Sequence, residues 1–157
     1  MVVDYLPPRQ LRAVYTLHGD IDAVRWPVPA LPRHADKLWE HTCCELFVRD
    51  ASDARYVEFN FAPSTAWAAY ELEGYRAESK PLRLAQAPQM RLQRGVSRCD
   101  LSVTLNPGES MADLELCLIA AAAVIEDREG QLSYWALSHH AEKPDFHHAD
   151  SFVPLMP

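Results

Sequence analysis

The sequence predicts an all-β fold, an antiparallel β-sandwich or jelly roll of about eight to ten strands. Three observations support this prediction. Short segments in which apolar and polar residues alternate recur along the chain, as in strands with one buried face. Turn-forming residues, including twelve prolines, separate these segments. The chain has 157 residues, 48% of them hydrophobic, which is enough for one core, so we expect a single domain over residues 1–157.

The first predicted strand covers residues 11–18, in which every second residue is apolar. Residues 21–26 are its predicted hairpin partner across the Gly19-Asp20 turn, and residues 27–36 form a proline-rich loop. Three consecutive strands are predicted between residues 38 and 76. Alternation assigns to their core side Cys44, Leu46, Val48, Val57, Phe59, Phe61, Ala66, Ala68, Tyr70 and Leu72. The opposite side then carries Glu45, Glu58, Asn60 and Trp67.

The second half of the chain continues the strand pattern at residues 90–94, 99–105 and 132–136. Residues 114–125 are ambiguous, because the alanines at positions 120–123 favour a helix. The alternating leucines at positions 114, 116 and 118 and the β-branched pair Val124-Ile125 favour a strand. We favour a long strand buried on both faces. The tail, residues 138–157, is irregular but apolar enough to pack back on the domain.

Charge and composition restrict the partners and the compartment. The net charge of −7 argues against nucleic acid or an anionic membrane as a partner. No apolar run approaches the roughly 20 residues of a membrane span, and the first residues lack a signal-peptide pattern. The four cysteines form no C-x-x-C pair and are interpreted as packing residues, so we expect a reduced, cytoplasmic protein.

Three segments together carry a resemblance to a known family. They are LWEHTCCELFV at residues 38–48, YVEFNFAPSTAWAAYELEGYR at residues 56–76 and SYWALSHHAEKPDFHHADSFVPL at residues 133–155. The chain resembles the bacterial DOMON-like domains, which are similar to family-nine carbohydrate-binding modules and to haem- and sugar-binding DOMON domains. The resemblance implies a β-sandwich whose concave face holds a ligand, with aromatic rings clamping a sugar and polar side chains binding its hydroxyl groups.

Three tryptophans are candidates for stacking on such a ligand: Trp39, Trp67 and Trp135. Indole suits this role because the C–H faces of a pyranose are apolar and the ring is large and rigid. Trp67 alternates with Glu71 and Glu73, so we expect it to face solvent or a cleft. The alternative for each tryptophan is a place in the core or at a sheet edge.

Polar candidates lie on the predicted polar side of the same strands. Glu45, Glu58 and Asn60 could accept or donate hydrogen bonds to hydroxyl groups. A merely solvated sheet face is the simpler alternative, and glycoside hydrolysis by paired carboxylates is a third. Arg76 and Arg33 could clamp an acidic or phosphorylated group, since Arg33 lies in the loop that leads into Trp39.

The histidines are concentrated near the C-terminal end: His139, His140, His147 and His148 fall within ten residues. Their spacing matches no closed zinc motif, so no metal is predicted. Asp145 and His147 lie in the third family segment and are candidates for ligand contact. Haem would need axial ligands, and Met90 and Met111 form no evident pair, so no cofactor is predicted.

The sequence therefore predicts a non-catalytic domain that binds a carbohydrate-like small molecule on the concave sheet face, with no catalytic residue. Trp67 and Trp135 would stack on the ligand, and Glu45, Asn60 and Arg76 would bind its polar groups. The rim would be formed by Arg33, Trp39, Asp145 and His147. A protein-interaction module, a haem-binding domain and, last, a carbohydrate-active enzyme are the alternatives.

Overall fold

Two β-sheets pack face to face, which confirms the predicted all-β sandwich. The structure is a computed structural model that describes residues 1–108, 114–139 and 144–155. The described strands are β1 (Val2–Leu6), β2 (Gln10–His18), β3 (Arg33–His34), β4 (Cys43–Asp50), β5 (Tyr56–Phe61), β6 (Ala66–Leu72), β7 (Ser79–Pro81), β8 (Gln89–Arg94), β9 (Arg98–Leu105), β10 (Cys117–Glu126), β11 (Leu132–Ala136) and β12 (Val153–Pro154). Single 3₁₀ turns lie at Ile21–Ala23, Leu38–Glu40, Leu114–Leu116 and Ala149–Ser151. Among the described residues, no helix is long and apolar enough to cross a membrane.

The smaller sheet has four strands in the order β1-β2-β9-β8. The larger sheet has eight strands, in the order β11-β10-β4-β5-β6-β3, with β12 beside β10 and β7 beside β6. Neighbouring strands are antiparallel except for β3 and β6, which run parallel. The larger sheet therefore has an inner face, packed on the smaller sheet, and an outer face that points away from it.

The main core lies between the two sheets, and the alternation of β4, β5 and β9 correctly predicts it. Leu46 and Phe59 meet Leu101 and Val103 across the sandwich, and all four are at most 4% exposed. Because side chains alternate along a strand, Glu45, Glu58 and Asn60 lie on the outer face of the same strands.

The long buried strand predicted at residues 114–125 is confirmed from residue 117 onward by β10, which lies between β11 and β4, whereas Leu114–Leu116 form a 3₁₀ turn. Its alanines are buried on both faces, where small side chains let other segments approach closely. The tail also packs back as predicted, because β12 pairs with β10 and Phe152 is 9% exposed.

The predicted hairpin of residues 11–26 is wrong. The Asp20 side chain accepts hydrogen bonds from the backbone N–H groups of Asp22 and Ala23, which caps a 3₁₀ turn in place of a strand ladder. Val24 makes one isolated bridge, to Asp127, and β2 pairs instead with β1 and β9.

The predicted orientation of β6 is also wrong. Trp67 pairs with Phe61 and belongs to the main core, where it is 9% exposed. Tyr70 and Leu72 lie instead on the outer face, in a second apolar cluster with Phe47. Since β6 is apolar on both faces, its own alternation could not show which side faced the smaller sheet.

Candidate functional site

A cavity of about 430 Å³ lies on the outer face of the larger sheet. We call it the outer-face cavity. Its floor is formed by β4, β5, β6 and β10. Its walls come from the 3₁₀ turn at Leu38–Glu40, the loop before β7, strand β11 and residues 144–155, which we call the C-terminal segment. The side chains used in the argument below are Trp39, Glu45, Glu58, Tyr70, Arg76 and His147. The cavity therefore draws on segments that are far apart in the sequence.

Two buried glutamates, Glu45 and Glu58, form what we call the acidic floor. They are 5% and 8% exposed, and strand register places Glu45 opposite Asn60. The fully buried Asn60 donates a hydrogen bond from Nδ2 to Oε1 of Glu58 at 2.7 Å. Within the described part of the chain, the Glu45 carboxyl makes no hydrogen bond and no ion pair. Its carboxyl group is therefore available to a molecule in the cavity.

Burial changes the protonation of this floor. Loss of solvation, with the nearby charge of Glu58, raises the pKa of Glu45 to about 8. Burial also raises the pKa of Glu58, although the hydrogen bond from Asn60 opposes this shift. At neutral pH Glu45 therefore carries its proton for much of the time and can donate a hydrogen bond as well as accept one.

An aromatic wall stands beside the floor. Trp39 meets Tyr70 edge to face, with 6.0 Å between ring centroids, and remains 40% exposed. The Tyr70 hydroxyl donates to Oδ1 of Asp36 at 2.9 Å, which fixes the ring. Lys37, with φ of 60°, turns the chain sharply into the 3₁₀ turn that carries Trp39. An exposed indole and a fixed phenol thus face the same space as the glutamates.

The rim is held by an ion pair between distant segments. Nη2 of Arg76 donates to Oδ1 of Asp145 at 3.0 Å, and the Tyr75 hydroxyl donates to the other carboxylate oxygen. Desolvation opposes ionisation of Asp145, but these two hydrogen bonds outweigh it and lower its pKa. Arg76 is therefore already paired, and its guanidinium holds the C-terminal segment against the cavity.

His147 closes the other side of the rim. Its Nδ1 is hydrogen-bonded to the Tyr56 hydroxyl at 2.7 Å, and its ring packs edge to face on Phe47. Burial, followed by the charge of Arg76, lowers the pKa of His147 to about 4. The imidazole is therefore neutral at physiological pH and acts as a structural group with one hydrogen-bonding edge in use.

Six of the nine predicted site residues come together here. They are Glu45, Asn60, Arg76, Trp39, Asp145 and His147, with Asn60 beneath the floor and Asp145 behind Arg76. The sequence also pointed to Glu58, which lies beside Glu45. Alternation correctly predicted the shared side of Glu45, Glu58 and Asn60, and a role of these residues in ligand binding stays a prediction.

Three predicted residues lie elsewhere. Trp67 is in the inner core, where its indole meets His34 edge to face at 5.4 Å, so it cannot stack on a ligand at the outer face. Trp135 points to the other side of β11 and lines a separate, apolar cavity of about 360 Å³ between the sheets. Arg33 is exposed on β3 and lines a third cavity with Glu126.

The aromatic residues of the outer-face cavity that escaped the sequence reasoning include Tyr70 and Tyr134. Tyr134 was overlooked beside Trp135, which lies on the opposite face of β11. Tyr70 was overlooked because alternation had assigned it to the core. Register gives the missing signal, because Tyr70 lies directly opposite Glu58. Cross-strand partners share a face, so the polar residue identifies the side of the aromatic one.

The C-terminal histidines that the structure describes, His139, His147 and His148, are engaged in hydrogen bonds within the chain. Nε2 of His139 accepts from the backbone N–H of Ala136 at 3.1 Å, and Nδ1 of His148 accepts from that of Asp150 at 3.3 Å. Residues 1–108, 114–139 and 144–155 contain no cluster of three or more side chains suited to hold a metal ion. Met90 packs against the inner core, whereas His140 and Met111 lie outside the described residues.

Comparison with known proteins gives information about the fold. No protein-family model and no curated protein matches the chain. A solved structure from Bacteroides uniformis ATCC 8492, of a protein provisionally described as carbohydrate-binding, matches with a TM-score of 0.62. The two are 15% identical, and the match covers 92% of this chain and 71% of the other. At this identity the likeness shows a shared β-sandwich fold.

Proposed function

We propose that residues 1–157 form one DOMON-like domain that binds a carbohydrate-like small molecule in the outer-face cavity without transforming it. One observation carries the proposal: buried carboxyl groups and an exposed indole line the same cavity. The provisional description of the Bacteroides uniformis protein supports the same class of ligand. So does the family resemblance, which places a sugar on a sheet face.

A sugar ring has two kinds of surface, and the cavity offers a partner for each. Hydroxyl groups need donors and acceptors in fixed positions, which Glu45 and Glu58 provide from rigid central strands. The apolar C–H face of a pyranose needs a flat ring, which Trp39 provides at the wall. The cavity volume of about 430 Å³ lies within the range of small-molecule sites.

We propose that Trp39 takes the stacking role that the sequence assigned to Trp67 and Trp135. Glu45 and Glu58 bind the polar groups at the floor, Asn60 orients Glu58, and Arg76 and His147 shape the rim. We also propose a reducing compartment such as the cytoplasm, since all four cysteines are buried as free thiols.

Titration with a panel of monosaccharides, amino sugars, sugar phosphates and nucleotide sugars tests this function. We expect saturable binding by calorimetry that Trp39→Ala weakens about tenfold or more, because stacking on an aromatic ring is lost. Trp135→Ala is the matched control, since its ring is also exposed but lies on the opposite side of β11.

The opposite pattern would overturn the proposal. If Trp135→Ala abolished binding and Trp39→Ala left it unchanged, the inter-sheet cavity would be the site. If the folded protein bound no member of the panel, a sugar-binding function would be ruled out in favour of a protein partner.

Hydrolysis is a second candidate, favoured by the two neighbouring carboxyl groups with raised pKa values. Glu45 and Glu58 occupy diagonal positions on adjacent strands and share one face of the sheet, and glycoside hydrolysis uses a pair of carboxyl groups that flank the scissile bond. Release of reducing sugar from a glycoside during the same titration, lost in Glu58→Gln, would establish this reaction in place of simple binding.

A further inference from the structure

Two equally buried glutamates, Glu126 and Glu45, differ in their hydrogen-bond and ion-pair partners. Glu126 is 5% exposed and is paired with both Arg25, at 2.9 Å, and His41, at 2.7 Å. Glu45 is also 5% exposed, yet its carboxyl meets no hydrogen-bond donor and no cation within the described residues. A buried carboxyl is costly when unpaired, and this one lines an open cavity. Unlike Glu126, Glu45 therefore has a buried carboxyl group that is available to a ligand in the cavity.

The side chains described around the cavity that could pair with Glu45 already have other partners. Arg76 is hydrogen-bonded to Asp145, and its side chain remains 54% exposed at the rim. His147 is neutral and bound to Tyr56. Asn60 serves only one oxygen of Glu58, at 2.7 Å. The acidic floor therefore presents two carboxyl groups that no described cation is paired with.

The wall beside this floor is aromatic. Trp39 and Tyr70 meet edge to face at 6.0 Å, and Tyr134 contributes to the far side of the same cavity. The faces of indole and phenol rings attract cations, and this attraction grows when the cation is removed from water. A carboxyl floor with aromatic walls is thus complementary to an organic cation.

We propose that the ligand of the outer-face cavity carries a protonated amine, which sits on Glu45 and Glu58 beside the aromatic wall. This inference rests on the proposed sugar-binding function, and within it the ligand class is an amino sugar with a free ammonium group. Neither a neutral hexose nor an N-acetylated sugar brings the positive charge that the floor lacks.

Binding couples to a proton on Glu45. In the free protein this carboxyl is largely protonated at neutral pH. When the ammonium group enters, Glu45 ionises, its proton goes to solvent, and the ammonium donates hydrogen bonds to the new carboxylate. The groups that face Glu45 are Glu58 from β5, Tyr70 from β6, Tyr134 from β11, Cys43 on its own strand, Arg76 and His147 from the rim, and Tyr15 from behind.

The test compares three amino sugars, glucosamine, galactosamine and mannosamine, with their parent hexoses and N-acetyl derivatives by calorimetry at pH 7. We expect at least one amino sugar to bind about tenfold or more tightly than its parent and its N-acetyl derivative. Repeating the titration in buffers of different ionisation enthalpy should reveal the release of a proton. Glu45→Gln should abolish both the preference for the amino sugar and the proton release.

Glu71→Gln is the matched control, because it makes the same substitution at a glutamate that lies exposed on β6 outside the cavity. It should leave the preference unchanged, and thermal unfolding would verify that each variant is folded. Equal binding of an amino sugar and its parent would refute the amine inference while sugar binding stands. Absence of binding by all nine sugars would also refute the inference, and absence of binding across the wider panel of sugar phosphates and nucleotide sugars would refute the proposed function with it.

Discussion

A carboxyl group that is buried beside another acid keeps its proton to a higher pH than one in water, and Glu45 is in this position. Its pKa is raised from 4.5 to about 8 by burial first and by Glu58 second. The folded protein therefore holds this proton where the unfolded chain has lost it. Stability from this group is complete below about pH 4.5 and is lost as pH rises towards 8.

This residue predicts a measurable effect of pH on stability. Between pH 6.5 and 8 the free energy of unfolding should fall by on the order of 2 kcal/mol, since each pH unit across the shift contributes about 1.4 kcal/mol. Urea unfolding at the two pH values measures it. Glu45→Gln should remove most of the fall, and Glu71→Gln should keep it. An equal fall in Glu45→Gln would show that other groups dominate.

His147 cannot cause this fall in stability, because its pKa shift has the opposite sign and acts mainly at lower pH. Burial lowers its pKa to about 4, so its contribution to stability is present above its unfolded value of 6.5 and is lost as pH falls towards 4. Above pH 6.5 the folded imidazole is neutral while the unfolded one loses its remaining protons, so His147 makes stability rise with pH and a fall in stability reports on the acidic floor.

At the scale of an element, the C-terminal segment completes the site from a distance. Phe152 packs on Tyr56, with 5.8 Å between ring centroids, and the Arg49 guanidinium lies 4.7 Å from its ring. β12 then adds to the edge of β10. This docking places Asp145 and His147, a few residues earlier, against the cavity rim.

Loss of the Phe152 ring should therefore weaken both the fold and the rim. We expect Phe152→Ala to lower the free energy of unfolding by about 3 kcal/mol, as for other buried aromatic truncations, and to speed hydrogen exchange in residues 144–155. Val153→Ala is the matched control, because the next side chain is 36% exposed and should cost far less. Equal effects of the two changes would show that the segment is not anchored through Phe152.

The sequence predicts an element well where its two faces differ in polarity. In β4, Cys44, Leu46 and Val48 share one face while Glu45 and Arg49 lie on the other, and this strand was oriented correctly with Glu45 outside. β6 has apolar residues on both faces, so Trp67 was assigned to the wrong side. The pair Tyr134-Trp135 likewise gives no polar contrast. Local alternation carries no information that would resolve either case.

Contacts between distant segments could not be predicted from the sequence for another reason. Arg76 and Asp145 are separated by 69 residues, and only the docking of the C-terminal segment brings them together. The ring that forms the wall, Trp39, depends on the left-handed backbone at Lys37. Side chains whose positions follow from loops could be proposed as candidates from the sequence, but their mutual geometry could not.

At the scale of the whole molecule, the two faces of the larger sheet have different roles. The inner face builds the core with the smaller sheet, and this sandwich is what the chain shares with the Bacteroides uniformis structure at 15% identity. The outer face carries buried polar groups in a cavity, where central strands hold them rigidly. The rigid core thus supports the floor, while the loops and the C-terminal segment form the walls.

Mapping the bound sugar by backbone amide chemical shifts is the most direct test of the central claim, that ligand binds in the outer-face cavity. With glucosamine added to saturation, we expect the largest changes at Leu38–Glu40, Glu45, Glu58, Arg76 and His147. Residues of the inter-sheet cavity, such as Leu101 and Trp135, should change little. Changes centred on Leu101 and Trp135, with the acidic floor unaffected, would contradict the account.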